Sequence, residues 1–326
     1  MKFLRLLPAL LIGCGLSACD QPSGPHITTP TQPVVSAPAP VAKKNIGLVM
    51  KTLTNPFFVE MEKGARRAEK ELDINLTVKT AAQETSIEQQ IQLVEDLIAA
   101  RVNAIVIAPG DSQRLVPALK KAWDAGIKIV NIDNRLDPEA VKQAGLPTIP
   151  FISVDNEAGA YMAGKFLAEG ITQTTQAAIL EGIRSADNAR QRAQGVRRAL
   201  QENKQIMLVA SETANWKIDE AHRVTRQLFD KYPKITLLFA SNDIMAIGAI
   251  KYLKESGKTG VKVVGYDALD EAIAEIKAGK MAATIDQQAA EQGYQGVALA
   301  IRLTQGATVP MVTTIDTRLV TAASLK

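Results

Sequence analysis

Apolar and polar residues follow two recurring patterns along this chain. Short runs rich in Val and Ile, such as residues 46–50 and 104–108, are typical of strands that are buried on both faces. Between such runs, apolar residues recur at intervals of three and four, as in residues 86–102, which predicts amphipathic helices. The two patterns alternate from residue 44 onward, so the sequence predicts an α/β fold built on parallel sheets.

The predicted elements fall into two successive sets of strand–helix units. We predict strands at 46–50, 74–78, 104–108, 127–132 and 151–154, then at 177–180, 206–210, 235–240, 261–265 and 282–285. The stretch between residues 133 and 150 reads as irregular, and a last helix at 289–304 precedes an extended tail. Because about 280 residues exceed what one hydrophobic core usually serves, we expect two doubly wound lobes.

Polar and aromatic side chains cluster directly after the predicted strands. In open α/β sheets, ligands bind in the crevice outside the carboxyl ends of the strands. Carboxylates and amides hydrogen-bond to hydroxyl groups, arginine donates in a fork, and aromatic rings stack on a sugar face. The candidate binding residues of this kind are Lys51, Asn55, Phe57, Phe58, Asp133, Asn134, Arg190, Trp216, Asn242, Tyr266, Asp267 and Gln287.

Each candidate also has a plainer interpretation when it is taken alone. Asn55 suits a helix N-cap before Pro56 at the first helical position, and Asn242 could likewise be only an N-cap. The pair Phe57 and Phe58 could be a core plug, and Arg190 could be a solvated charge on a helix. Helix capping alone does not explain why polar or aromatic side chains follow so many of the predicted strands. Their recurrence favours a binding site.

The first residues of the chain have the pattern of an export signal. Lys2 and Arg5 precede an apolar run, 6–16, that is too short to span a bilayer. The following Leu16-Ser17-Ala18-Cys19 resembles the lipobox of bacterial lipoproteins, which implies cleavage after residue 18 and lipidation of Cys19. The alternative is an ordinary cleaved secretory signal with an incidental cysteine.

Residues 19–43 are expected to form a tether. Six prolines are spread among Ser, Thr, Gln, Ala and Val between residues 20 and 43, and such a segment forms an extended, semi-rigid spacer. The sequence thus predicts a signal peptide at 1–18 and a lipidated, proline-rich tether at 19–43, which would hold the folded part close to a membrane.

Composition and motifs argue against several classes of protein. Formal charge falls from +4 to about +2 once Lys2 and Arg5 are removed, so no nucleic-acid partner is indicated. The chain has two histidines, His26 in the tether and His222 in a charged helix, and neither is placed for a catalytic triad. No cysteine follows Cys19, which excludes a disulfide or a cysteine metal site in the folded part. We predict no enzymatic activity, no cofactor and no metal.

Several segments resemble the periplasmic sugar-binding proteins of ABC importers, in particular the ribose-binding and allose-binding members. The resemblance rests on residues 52–58, 242–249, 263–267 and 282–287, which occur in the same order along the chain. It implies two lobes, connected by three crossings of the chain near 153–156, 286–288 and 316–317, that close on one monosaccharide. The first lobe would comprise 44–154 plus 287–315, and the second 155–286 plus 316–326.

The resemblance also implies roles for individual residues. Phe58 and Trp216 would clamp the two faces of the sugar, while Asp133 and Arg190 would bind hydroxyl groups. Lys51 matches allose-binding members, whereas ribose binders carry a serine there. Asn134 departs from both patterns, since ribose binders have an arginine at that position. This departure at Asn134 favours a hexose or related polyol over ribose.

The same resemblance implies partners and a location. The protein would act as a monomer and deliver sugar to an ABC permease. Its lipidated Cys19 would anchor it to the periplasmic face of the inner membrane, as Asp20 suggests, or to the outer leaflet in a host with a single membrane. One alternative is a tethered receptor that signals to a chemoreceptor or a sensor kinase. LacI-type regulators share the expected fold, but a signal and tether stand where their helix-turn-helix would be.

Overall fold

The computed structural model describes residues 42–325 of the chain. The predicted signal peptide, Cys19 and all of the tether except its last two residues lie outside this range. Among the described residues, no helix is long and apolar enough to cross a membrane.

Strands and helices alternate through the described part of the chain. In order, the elements are β1 (Asn45–Met50), α1 (Pro56–Glu71), β2 (Asn75–Thr80), α2 (Ile87–Ala99), β3 (Ala104–Ile107), α3 (Val116–Asp124), β4 (Lys128–Ile132), α4 (Pro138–Gln143), β5 (Phe151–Val154), α5 (Asn156–Ala168), β6 (Thr175–Glu181), α6 (Asp187–Gln201), β7 (Ile206–Thr213), α7 (Ile218–Lys231), β8 (Ile235–Ala240), α8 (Asp243–Glu255), β9 (Lys262–Val264), α9 (Asp270–Lys277), β10 (Ala283–Asp286), α10 (Ala289–Thr304), β11 (Val312–Ile315) and β12 (Arg318–Thr321).

The strands form two six-stranded sheets. The first has the order β11-β5-β4-β3-β1-β2, and all of its neighbouring strands are parallel. The second has the order β12-β10-β9-β8-β6-β7, in which β12 alone is antiparallel to its neighbour. The buried strands of both sheets are the Val- and Ile-rich runs of the sequence, as expected for sheets covered on both faces.

The chain passes three times from one sheet to the other. It crosses after β5 to α5, which packs on the second sheet, and after β10 to α10, which packs on α1 and β4. The third passage is the short connection between β11 and β12. We call each sheet with its helices a lobe, the first lobe holding β1 and the second β6. The predicted α/β fold with two doubly wound lobes and three crossings is confirmed.

Helices α1 and α10 pack at unusually close range beside the first sheet. A Cβ atom on Gly64 would lie 1.7 Å from the backbone oxygen of Ala290, and one on Gly293 would lie 2.0 Å from that of Met61. Because only glycine permits this approach, the sequence fixes where the late helix α10 docks on the early helix α1. The helix α1, which carries Phe57 and Phe58 in its first turn, begins beyond the carboxyl end of β1.

Two segments differ from the predicted elements. The stretch predicted to be irregular contains α4, which begins at Pro138 and is capped by Asp137, whose Oδ1 accepts a hydrogen bond from Ala140 N–H at 2.8 Å. The predicted extended tail contains β11 and β12, which add an edge strand to each sheet. Both strands have only four residues, of which Ile315 alone is buried, so they lack a buried apolar run.

Candidate functional site

A cleft lies where the carboxyl ends of strands from the two sheets face each other. About 230 Å³ of space, part of it open to solvent, lies between the side chains that line this cleft. Its lining comes from both lobes and consists of Lys51, Asn55, Phe57, Phe58, Glu84, Asp133, Asn188, Arg192, Trp216, Asn242, Asp267 and Gln287.

In the first lobe, a buried lysine lies between two carboxylates. Lys51 follows β1, and its Nζ is 2.9 Å from Oδ2 of Asp133 and 3.9 Å from Oε2 of Glu84. The amide of Asn55 donates to Oε1 of Glu84 at 2.9 Å, while its own Oδ1 caps α1 through Phe57 N–H. Burial raises the pKa of the Glu84 carboxyl, and the Lys51 charge and the Asn55 amide oppose that shift. These side chains hold one another in place through direct contacts.

Phe57 and Phe58 form the apolar wall of this half of the cleft. Their rings meet edge to face with centroids 5.1 Å apart, and both belong to the buried core of the molecule. Lys51 Nζ lies 5.5 Å from the centre of the Phe58 ring. Both interpretations of Phe57 and Phe58 therefore apply. The two rings pack into the hydrophobic core and also line the cleft.

In the second lobe, the buried Arg192 is the centre of a polar network. Its guanidinium donates to Asn156 Oδ1 at 2.8 Å, to the Ser241 backbone oxygen at 2.8 Å and to Gln287 Oε1 at 3.2 Å. It also stacks 3.8 Å from the centre of the Tyr266 ring. Since Asn156 and Gln287 lie at two of the three passages between the lobes, Arg192 links the cleft to the hinge.

Asp267 is the buried carboxylate of the second lobe. Its Oδ1 accepts from Gln287 Nε2 at 2.5 Å and lies 3.7 Å from the Arg192 guanidinium. Burial raises its pKa well above the usual range, although Arg192 opposes the shift. Its backbone φ of +128°, and that of +61° at Asp133, are strained values for non-glycine residues, as is typical of functional sites.

Trp216 faces the cleft with an unsatisfied polar atom. Its indole is almost fully buried and fits against Gly182, where a Cβ would lie only 2.0 Å from the ring. Trp216 Nε1 and Asn188 Oδ1 are buried and have no hydrogen-bond partner among the described residues. Asn242 Oδ1 caps α8 through Met245 N–H at 2.9 Å, so it is both an N-cap and part of the lining. A hydroxylated ligand would satisfy such unpaired groups.

Three of the predicted binding residues lie outside the lining. Arg190 points away from the cleft, where its half-exposed guanidinium binds Asp187 and the Arg184 backbone oxygen. Tyr266 is completely buried beneath Arg192, and Asn134 is buried at the boundary between the lobes. These three side chains do not line the cleft, contrary to the expectation from the sequence, so they are not carried into the proposed set of ligand contacts. The other nine predicted residues line the cleft together.

The structure adds three residues that sequence reasoning did not select. Arg192 takes the position expected for Arg190, because two residues along an α-helix turn the side chain by about 200° to the opposite face. Asn188, in the first turn of α6, was not among the candidate binding residues. Glu84 follows β2 by a loop and carries no strand-end signal, although a carboxylate that faces Lys51 across neighbouring parallel strands could have suggested it.

Within residues 42–325, no group of three or more His, Cys, Asp or Glu side chains is arranged to hold a metal ion. The lining instead offers hydrogen-bonding groups, two cations and aromatic faces around a small space.

Comparison with known proteins identifies the family. The profile of the periplasmic binding protein domain matches residues 46–308. The chain is 38% identical to a D-ribose/D-allose-binding protein of Pseudomonas aeruginosa over 93% of this chain and 92% of that protein. It is 34% identical to the D-allose-binding periplasmic protein of Escherichia coli, over 80% of this chain and 84% of that protein.

Solved structures agree with this assignment. An ABC transporter periplasmic solute binding protein from Actinobacillus succinogenes, solved with bound D-allose, superposes with a TM-score of 0.81 at 41% identity, covering 86% of this chain and 99% of that one. The family consists of substrate-binding transport proteins rather than enzymes. The chain therefore belongs to the type I periplasmic binding proteins, the sugar-binding components of ABC transporters.

Proposed function

We propose that this protein binds one uncharged monosaccharide, an allose- or ribose-like aldose or a related polyol, and delivers it to an ABC importer. The observation that carries the proposal is the cleft itself, where Phe58 and Trp216 flank buried, mutually ordered carboxylates, amides and cations. Paired hydrogen-bonding groups beside aromatic faces are what a ring with an apolar face and hydroxyl groups on its rim requires.

Charge supports an uncharged ligand. The lining carries the carboxylates of Glu84, Asp133 and Asp267 against the cations of Lys51 and Arg192. An anionic sugar, such as a uronate or a sugar phosphate, would bring a further negative charge into a buried site whose cations are already paired. Because an uncompensated buried charge is very costly, the cleft should reject such ligands.

Lys51 supports an allose-like ligand. It lines the cleft between Glu84 and Asp133, so the residue that separates the allose-binding from the ribose-binding pattern is in a position to contact the sugar. Asn134, the other departure from the ribose pattern, does not line the cleft. The preference for a hexose or polyol, which the sequence drew from Asn134, is therefore supported within the lining by Lys51.

Binding would proceed by hinge closure. The ligand would bridge Asn55 and Asp133 of the first lobe to Arg192, Asn242 and Asp267 of the second. Ligand shifts such an equilibrium only through contacts that it makes in the closed state and not in the open one. The three passages between the lobes supply the hinge on which that closure depends.

The proposal includes attachment through a lipidated Cys19 to the periplasmic face of the inner membrane and action as a monomer. Metabolic labelling with a fatty acid, compared between the full chain and its Cys19→Ser variant, tests the anchor. Delivery to a permease rather than to a chemoreceptor or kinase is tested by uptake of labelled sugar in cells that lack this chain. Unimpaired uptake would favour the signalling receptor.

The binding proposal is tested by thermal unfolding of the chain from Lys43 onward with allose, ribose, psicose, inositol and, as an anionic control, glucuronate. A ligand at a thousand times its dissociation constant stabilises the native state by about 4.1 kcal/mol. We expect one neutral sugar or polyol to raise the melting temperature clearly and glucuronate to leave it unchanged. A cooperatively unfolding protein that responds to no neutral sugar would refute the proposal.

A further inference from the structure

Helix α6 begins without a capping side chain of its own. The first backbone N–H groups of a helix have no partner within the helix and require acceptors from elsewhere. The residue at the N-cap of α6 is Ala186, which cannot supply one. Instead, Asp187 N–H donates to Ser112 Oγ at 3.0 Å, and Asn188 N–H donates to Asn134 Oδ1 at 3.1 Å.

Both acceptors belong to the other lobe. Ser112 follows β3 and Asn134 follows β4 in the first lobe, whereas α6 packs in the second. A third contact across the same boundary joins Ser112 N–H to the Ser185 backbone oxygen at 3.3 Å. The α6 terminus is thus capped across the boundary between the lobes.

The two acceptors are held ready within the first lobe. The Asn134 amide donates to the Pro109 backbone oxygen at 3.0 Å and to Ser112 Oγ at 3.4 Å, which fixes its Oδ1 toward α6. Both side chains are almost completely buried, and neither lines the cleft. Their hydrogen bonds to α6 therefore join the lobes without contacting the ligand.

We propose that Ser112 and Asn134 are positioning residues for ligand binding, forming a latch that caps α6 only when the lobes are closed. In an open form the N–H groups of Asp187 and Asn188 face water, so the latch contributes to closure and not to the folding of either lobe. The inference rests on the proposed function, because it concerns closure around that ligand.

The latch affects every ligand by the same factor. A ligand that binds only the closed form has its apparent dissociation constant divided by the closed fraction. Removing a capping acceptor lowers that fraction by a factor in the range of about two- to thirtyfold, as measured caps do. Affinity falls while the ratio of affinities for two sugars stays constant, which distinguishes a latch residue from one that contacts sugar.

The test compares Ser112→Ala and Asn134→Ala with the parent and with Thr225→Val. Thr225 is a matched control, because its buried hydroxyl donates to the Ala221 backbone oxygen at 2.6 Å entirely within the second lobe. Ser112→Ala is the cleaner of the two latch variants, since Asn134→Ala also removes the bond to Pro109. Dissociation constants for two sugars are measured by calorimetry, together with the melting temperature without ligand.

We expect each latch variant to bind both sugars about fivefold more weakly and at an unchanged ratio. Ser112→Ala should lose little unliganded melting temperature, whereas Asn134→Ala should lose some because the Pro109 oxygen loses its donor. Thr225→Val should lower that temperature and leave both dissociation constants unchanged. Affinities of the latch variants within twofold of the parent, a changed sugar ratio, or a thermal loss of Ser112→Ala that matches the control would overturn the proposal.

If no sugar binds the parent, the proposed function fails and the latch is tested without ligand. Spin labels on Glu88→Cys in the first lobe and Glu212→Cys in the second, both with exposed side chains, report the distance between the lobes. A short-distance population that the parent shows and Ser112→Ala loses supports the latch. Its absence from the parent, or its persistence in the variant, overturns it.

Discussion

Two arginines on one helix give the sharpest test of the site. Arg192→Ala removes three hydrogen bonds and leaves the carboxylate of Asp267 buried without its cation. Removing one partner of a buried charge pair costs about 3–5 kcal/mol. Asp267 keeps its hydrogen bond from Gln287 when Arg192 is removed, so we expect the lower end, about 3 kcal/mol. At about 2–4 °C per kcal/mol, the melting temperature should fall by roughly 6–12 °C.

Arg190→Ala is the matched control, two residues away on the same helix. Its guanidinium is half exposed, and its ion pair with Asp187 lies on the surface. Exposed ion pairs contribute about 0–1 kcal/mol, so this variant should unfold within about 4 °C of the parent. Its sugar affinity should be unchanged because the side chain does not reach the cleft.

Calorimetric unfolding and sugar titration of both variants decide the matter. Hydrogen bonds to charged groups contribute about 1.5–3 kcal/mol, so Arg192→Ala should lose at least tenfold in affinity. Arg192→Lys keeps the charge without the planar fork and covers the case in which Arg192→Ala does not fold. Equal effects of the Arg190 and Arg192 substitutions, or a larger effect at Arg190, would refute the assignment of Arg192 to the cleft.

Three further predictions concern single side chains. Asp267→Ala should weaken sugar binding more than tenfold by calorimetry, since it removes a charged hydrogen-bond acceptor, and unchanged binding would exclude Asp267 from the site. Trp216→Ala should weaken sugar binding by roughly 1–3 kcal/mol, the range measured for stacking of nucleic-acid bases on aromatic side chains. Trp123→Ala is the control, because Trp123 lies outside the lining and its loss should not weaken binding. A Trp216→Ala affinity within twofold of the parent would make Trp216 purely structural. Burial raises the pKa of Asp243 to about 6, so its contribution to stability is fully present below about pH 4 and is lost as the pH rises through about 6. Urea unfolding of the parent minus that of Asp243→Asn should show this loss between pH 4 and 7, and a difference that does not vary with pH would contradict it.

The sequence predicted the fold well because its signals are local. Buried parallel strands are continuous apolar runs, and helices repeat every 3.6 residues, so each can be recognised without knowledge of its neighbours. The edge strands β11 and β12 escaped notice because their partners, rather than their own composition, make them strands. The helix α4 is short, and its cap at Asp137 went unrecognised.

Site residues were harder to predict because they depend on side-chain direction. The correct helix was identified as carrying an arginine into the cleft, but its face follows from the packing of α6, which the strand-end pattern does not report. Glu84 reaches Lys51 across paired strands, and Asn134 meets Asn188 across the lobe boundary. Such contacts join residues that are distant in sequence and therefore require the tertiary structure.

The packing of α10 against α1 has a consequence for how the chain acquires its structure during synthesis. The first lobe contains the earliest strands but lacks α10 and β11 until residues 289–315 have been made. An emerging chain therefore carries the apolar surface of α1 uncovered while the whole second lobe is produced. Contacts of such long sequence separation form slowly, because the loop must close before they stabilise anything. The first lobe should therefore remain incompletely folded, and so competent for export, until its last residues have been synthesised. Truncation before residue 289 should leave the first lobe unable to fold.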